Sequence, residues 1–296
     1  MKKFTISPRI QFLIVMCGFG LLGPIVRAIN LPSTAVSCLR SWISSIFLFG
    51  YVLVKKIKVE EGFLKKHGKH LLIMGVFLAL DLLFFFMSYS YTTIATATLC
   101  YYIEPLFYVI GCALIFGEKP TVPQFVCVGV ALIGMAFVAG IPKYGLPSPK
   151  EAKGIIFAVL GGFFYAAVTL ANKAYPGIEQ HIKIACQLFI SAVVLTPYIC
   201  LTEDVASFSI GLKDVVLLLI IGVVMTGFAY LIYFENAAKL PSKTVAIFSY
   251  GDPVVSVFAS ALFLKEPIDI YGIMGAIMII GAALFSELEN TKKTKE

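Results

Sequence analysis

The sequence predicts an all-α membrane protein with ten transmembrane helices, arranged as two inverted five-helix repeats. Three observations lead there: a composition too apolar for water, apolar runs of bilayer length, and a repeat at half the chain length. Of 296 residues, 59% are hydrophobic and 14% charged, against about 45–50% and about 25% in soluble domains. The 24 Lys and Arg and 17 Asp and Glu are too few to form a water-facing surface over 25 Phe, so lipid is the solvent for most of the chain.

Each transmembrane helix needs roughly 20 apolar residues to cross about 30 Å of hydrocarbon. Apolar runs bounded by Pro, Gly and charge fall near residues 10–29, 35–54, 70–89, 94–116, 122–140, 154–173, 182–200, 214–234, 244–263 and 269–285. They exceed the roughly 9–11 residues of a barrel strand and show no period-2 alternation, so the spans are helices. Short connections leave no soluble domain. The first run follows Met1-Lys2-Lys3 as a signal peptide would. It is longer than the roughly 7–15 residues of such a segment and no small-residue cleavage site follows, so it is expected to stay in the mature chain.

Charge sets the orientation. Net charge +7 could point to nucleic acid, but the basic residues fall in short loops between spans. With the N-terminus inside, seventeen Lys and Arg lie on the inner side and six on the outer, with Arg40 alone well inside a span. The loop at 141–153, with three lysines outside, is the local exception. Both termini are therefore expected in the cytoplasm and the chain in the plasma membrane. The seven cysteines lie in or at the ends of apolar runs without a CxxC pair, and His67, His70 and His181 have no ligand spacing. Packing cysteines are expected, with no metal site and no cofactor.

The repeat appears on shifting the sequence by 148 residues. Thr96 then aligns with Thr244, Tyr102 with Tyr250, Pro105 with Pro253, Val109 with Val257, Ala113-Leu114 with Ala261-Leu262, and Glu118 with Glu266, while Glu104 falls on Asp252. Spans four and nine are thus copies of one element, and the halves are 1–148 and 149–296. Five spans per half is an odd number, so the second copy enters the membrane upside down, as in transporters built around a midplane site.

These blocks carry a family resemblance. The Phe19-Gly20 region, the Pro32 to Leu39-Arg40 start of span two, and two blocks of acid, proline, apolar run and terminal acid resemble the EamA type of the drug/metabolite transporter superfamily. The blocks are Tyr102-Ile103-Glu104-Pro105 to Gly117-Glu118-Lys119-Pro120 and Tyr250-Gly251-Asp252-Pro253 to Lys265-Glu266-Pro267. The resemblance implies ten helices in two inverted halves and alternating-access movement of small organic molecules, with no particular substrate.

An ionisable side chain at bilayer depth costs roughly 2.5–3.5 kcal/mol on insertion scales, so each needs a structural escape or a use. At 1.5 Å per residue, Glu104 lies about 15 Å into its span, Asp252 about 12 Å, Asp81 about 16 Å and Arg40 about 9 Å. Glu104 shares a face with Tyr101, Tyr108 and Gly111, and Asp252 with Ser249, Ser256 and Ala259; both stripes are expected to face inward. Each acid precedes a proline, which removes a backbone donor. A kink there would place free carbonyls beside a carboxylate near the midplane, a site for a cation or proton. The competing reading is a carboxylate that caps a broken helix or pairs with Arg40 or a tyrosine.

Other inward stripes are Cys17, Gly20, Pro24 and Arg27; Gly162, Tyr165, Thr169 and Asn172; Gln187 and Ser191; and Thr226, Tyr230 and Tyr233. The candidate substrate and coupling residues are therefore Glu104, Asp252, Asp81, Arg40, Tyr101, Tyr102, Tyr230, Tyr250, Asn172 and Gln187. Cavity tyrosines could stack on an aromatic or cationic solute, or simply pack. Arg27 and Lys173 are expected to snorkel at span ends. Gly129, Gly134, Gly140, Gly272, Gly275 and Gly281 are expected to make close contacts of spans five and ten.

The function this predicts is secondary transport of a small organic solute such as an amino acid, amine or drug-like molecule, coupled to protons, with export favoured by the resemblance. The expected partners are that small-molecule substrate, protons and the lipid bilayer, with no nucleic acid. No GxxxxGK[ST] run points to ATP, and no HExxH or GxSxG points to a common hydrolase. A passive facilitator or channel, an uptake carrier for a cationic nutrient, and a membrane scaffold are the alternatives.

Overall fold

The structure is a computed structural model and describes residues 7–117, 122–175, 177–237, 240, 248, 250–266 and 269–293. Thr244, Ser249, Glu118, Lys119, Pro120 and Pro267, singled out in the sequence, lie outside them. The described residues form helices and no strand. The helices are α1 (Pro8–Gly20), α2 (Leu22–Ala28), α3 (Ser33–Val54), α4 (Phe63–Ser88), α5 (Ile94–Tyr101), α6 (Glu104–Phe116) and α7 (Val122–Val138). After them come α8 (Ile141–Tyr144), α9 (Pro149–Ala174), α10 (Gln180–Thr202), α11 (Leu212–Leu219), a π-helical segment at Ile220–Phe228, α12 (Ala229–Ala237), α13 (Gly251–Leu264) and α14 (Ile270–Lys293).

Seven helical stretches are long and apolar enough to cross a membrane: Pro8–Ala28, Ser33–Val54, Phe63–Ser88, Ile94–Phe116, Pro149–Ala174, Gln180–Thr202 and Leu212–Tyr233. Gly129–Val138, Gly251–Leu264 and Ile270–Ala282 are shorter apolar helices. Large apolar side chains point outward along them, with Leu114 81% and Ile277 67% exposed. In water that arrangement would aggregate; in lipid it is the ordinary exterior of a multi-pass protein.

Prolines account for two breaks. Pro24 has no N–H for the Gly20 carbonyl, and the helix divides at Leu21, whose own N–H turns back to the Gly18 carbonyl at 3.1 Å. Pro105 likewise leaves the Tyr101 carbonyl without its helical donor. The chain passes through Tyr102 and Ile103 with tighter bonds, such as Ile103 N to the Cys100 carbonyl at 3.4 Å, before α6 begins at Glu104. The expected kink beside Glu104 is present.

In the packing, α4 lies on α9 and α10, α3 on α10 and the π segment, α1 on α12 and α13, α9 on α5 and α6, α5 on α13, and α7 on α14. Glycine sets the closest of these approaches. A side chain on Gly20 would stand 2.5 Å from the Asp252 carbonyl oxygen, and one on Gly162 would stand 2.5 Å from that of Tyr101. Gly134 and Gly275 face each other's backbone across α7 and α14 as expected, but Gly129, Gly272 and Gly281 have no neighbour within 4 Å. Gly140 caps α8 in a left-handed conformation, φ 74°. Gly129, Gly272 and Gly281 make no close helix contact among the described residues, since small size permits approach without enforcing it.

Thr226 in the π segment donates its hydroxyl to the Ile221 carbonyl, five residues back, at 2.8 Å. Ser44 of α3 bonds the Gly222 carbonyl at 2.8 Å. All seven cysteines are free thiols, and four of them (Cys38, Cys100, Cys112 and Cys127) are buried.

Gly20→Val is expected to wedge α1 from α13, at a cost of about 1–3 kcal/mol. Thermal unfolding in detergent should show a lowered midpoint for it and none for Gly18→Ala, because a Cβ on Gly18 would meet nothing within 4 Å.

Candidate functional site

The acids, the buried arginine and the tyrosines converge where α3, α4, α5, α9, α12 and α13 meet. Asp81 of α4 is 2% exposed and Arg40 of α3 is 6% exposed. Tyr101 and Arg40 are the neighbours whose side chains act electrostatically on Asp81. The Arg40 guanidinium lies 5.4 Å from the centre of the Phe86 ring, a cation–π contact. Two atoms of this pair, Asp81 Oδ1 and Arg40 Nε, are buried without a hydrogen-bond partner among the described residues.

Asp252 stands in the first turn of α13 and accepts the Tyr102 hydroxyl at 2.8 Å. The Tyr102 and Tyr250 rings, aligned by the 148-residue shift, have centroids 6.2 Å apart. One turn beyond Asp252, Ser256 shares a 3.0 Å hydrogen bond with Thr98 of α5, and both are buried. Ser256 and Ala259 thus point inward as expected, while Ser249 lies outside the described residues.

Glu104 opens α6, where its negative charge suits the positive end of the helix dipole. It acts electrostatically on Tyr101 and Tyr165. Tyr165 of α9 lies 5.9 Å from the Tyr101 ring and also neighbours Tyr230 and Tyr233. It is 38% exposed despite these neighbours, so the tyrosine wall borders open space. Tyr230 packs edge-on to Phe19 at 5.7 Å and feels Arg40, Asp81 and Asp252.

Eight of the ten sequence candidates therefore belong to one neighbourhood. Asn172 and Gln187 do not join it. Gln187 Nε2 donates to Asn172 Oδ1 at 3.0 Å and meets the Met74 sulfur at 3.2 Å. Met74 is seven residues before Asp81 on α4, about 10 Å along the helix. This pair ties α9 to α10, and Asn172 Nδ2 donates to the Val168 carbonyl at 3.0 Å.

The sequence reading missed three participants. Tyr165 was placed only on an inward stripe, and its apposition to Tyr101 is a contact between distant segments that no local pattern encodes. Arg27, at its span end, bonds protein groups: its guanidinium contacts Glu266 at 3.3 Å and donates to the carbonyls of Tyr89 and Thr92 at 2.8 and 2.9 Å. In the sequence Glu266 stands out through the repeat and the family resemblance, neither of which names its partner. Lys173 stays exposed at the end of α9, with its ammonium 4.8 Å from the Phe116 ring centre and 3.4 Å from the Cys112 sulfur.

Known proteins share this architecture. The EamA-like transporter family matches residues 8–140 and 152–287. An uncharacterized transporter of Bacillus subtilis (strain 168), YxxF, is 27% identical over 277 residues, covering 93% of this chain and 88% of its own. The pseudopaline exporter CntI of Pseudomonas aeruginosa (strain UCBPP-PA14) is 24% identical over 279 residues and 93% of each chain. A solved crystal structure superposes with a TM-score of 0.68 at 16% identity, covering 96% of this chain and 98% of the other; it shows the shared fold. These matches and the membrane-spanning helices identify a membrane transporter for a small molecule. The chain belongs to the EamA-like transporter family.

Proposed function

We propose that the chain is a secondary active carrier that moves a small cationic or zwitterionic organic solute by alternating access. The observation that carries this reading is the buried pair Arg40 and Asp81, each with a polar atom lacking a partner among the described residues, beside tyrosines of which Tyr165 is open to space. An unpartnered buried polar atom costs about 1–3 kcal/mol. A solute offering a carboxylate to Arg40 and an amine to Asp81 or Asp252 would recover that cost, and Tyr101, Tyr102, Tyr165 and Tyr230 would flank its body.

Two five-helix halves, 1–148 and 149–296, inverted with respect to each other, complete the proposal. Its support is the packing pattern once α1–α2, α5–α6 and α11–α12 are each counted as one span. Exchanging each span with its counterpart five places along turns the α4–α9 contact into that of α1 with α12, and the α6–α9 contact into that of α1 with α13. It also turns α4–α10 into α3 with the π segment. The proton is the proposed coupling ion, bound by the carboxylates of buried Asp81 and half-buried Asp252 and Glu104, because each such group can trade a proton for a substrate charge. The lysine distribution supports cytoplasmic termini, and the plasma membrane is the proposed location. Export is favoured, in keeping with the family resemblance and with the printed name of the Pseudomonas relative.

A thermal-shift screen over amino acids, amines and nucleosides identifies the probe. With that solute in proteoliposomes, a pH gradient should drive accumulation in the unaltered protein. Glu104→Gln combined with Asp252→Asn should abolish the gradient-driven component while leaving a monodisperse protein; unaltered coupling would refute the proton role. Saturable counterflow should be observed, and its absence would make the protein a pore. Tyr102→Phe removes the hydrogen bond to Asp252 and is expected to lower stability by about 1 kcal/mol, read as a lower unfolding midpoint, and to weaken binding of the screened solute.

A further inference from the structure

We infer that Arg27 and Glu266 form a latch that closes one end of the transport path, a pair of positioning residues distinct from the substrate site. The inference rests on reading the chain as an alternating-access carrier. The two residues are 239 positions apart and come from different halves of the chain. The Arg27 guanidinium holds three acceptors at once: Glu266 Oε1 at 3.3 Å, the Tyr89 carbonyl at 2.8 Å and the Thr92 carbonyl at 2.9 Å. Glu266 in turn accepts the Ile94 N–H on Oε1 at 3.0 Å and the Ala95 N–H on Oε2 at 3.2 Å.

The fit is specific. Thr93 caps α5 with its own hydroxyl, which accepts the Thr96 N–H at 3.0 Å. That leaves the first two amides of α5 orphaned, and the Glu266 carboxylate from the end of α13 takes both. Lys265 reaches the left-handed region, φ 55°, to turn the chain and deliver Glu266 there. A non-glycine residue accepts that conformation at a cost, which the paired amides offset. The Glu266 side chain is 9% exposed and that of Arg27 is 35% exposed, so the carboxylate is shielded while the arginine borders solvent.

Three bodies that must separate for a path between them to open are thereby pinned together: the end of α2, the turn into α5, and the end of α13. Directly beneath lies the buried Thr98–Ser256 bond between α5 and α13. The grip also reaches the site. Tyr89, whose carbonyl Arg27 holds, packs its ring 5.5 Å from Phe86, and Phe86 carries Arg40. A ligand that shifts Arg40 thus acts on a neighbour of the latch.

The test is accessibility of a reporter beneath the latch. Thr98→Cys is introduced, the protein is held in lipid nanodiscs with both faces reachable, and a membrane-impermeant maleimide is added. Labelling is corrected by that of the chain with Thr98 intact, which retains all native cysteines. Arg27→Gln and Glu266→Gln should each raise the labelling rate by about ten-fold or more, because freeing the latch shifts the population toward the open state. Arg27→Lys should fall between, since an ammonium cannot reproduce the planar fork on three acceptors. Rates unchanged in both neutral variants, each monodisperse, would overturn the inference. So would loss of folding in both, which would make the pair a structural strut. Labelling needs no transported solute, so failure here and failure of solute flux are read separately.

Discussion

The close approach of two glycines to two backbones holds the polar centre of this protein in place. Gly162 leaves room for the Tyr101 carbonyl that Pro105 deprives of its helical donor, and Gly20 leaves room for the carbonyl of Asp252. In hydrocarbon a freed carbonyl must find a partner inside the protein. A Cα–H of glycine at close range is one of the few surfaces that tolerates it. The α5–α6 break is thus pressed against α9, and the Asp252 end of α13 against α1. The carboxylates, tyrosines and Arg40 are brought into one neighbourhood because the backbones meet first.

Much of this was legible from residue order. Apolar run length located the helices, and Pro105 located the break in α5–α6, because both are local consequences of bilayer thickness and of a missing N–H. The inward aspect of Ser256, Ala259 and Tyr101 followed from helical spacing. What escaped is non-local. The Arg27–Glu266 contact joins residues 239 apart, and no periodicity reports which span end meets which. Asn172 and Gln187 read as lining residues because an amide on an inward face looks the same whether it meets solute or a neighbouring amide. Only their mutual 3.0 Å bond distinguishes the two.

The centre and the latch solve different electrostatic problems. At the latch every acceptor is matched: the guanidinium meets two carbonyls and a carboxylate, and that carboxylate meets two amides. At the centre, Arg40 and Asp81 are buried with atoms to spare. A fully satisfied network favours one geometry, whereas a partly satisfied one is improved by an added polar molecule. The division matches a carrier that must be rigid where it closes and receptive where it binds.

The π segment at Ile220–Phe228 has a further consequence. Its wide turns store residues that an α-helix of the same length would not hold. The stretch from Leu212 to Ala237 is therefore two α-helical registers joined by a slipped splice, and the faces before and after it are not continuous. Tyr230 and Tyr233 owe their aspect toward Phe19, Phe12 and Tyr165 to that slip. Deleting one residue from the splice would rotate the tyrosine-bearing end about the axis while the end anchored by Asp214 on Gly211 and Asn30 stayed where it is. Helix length here is a rotational setting as much as a measure of bilayer thickness.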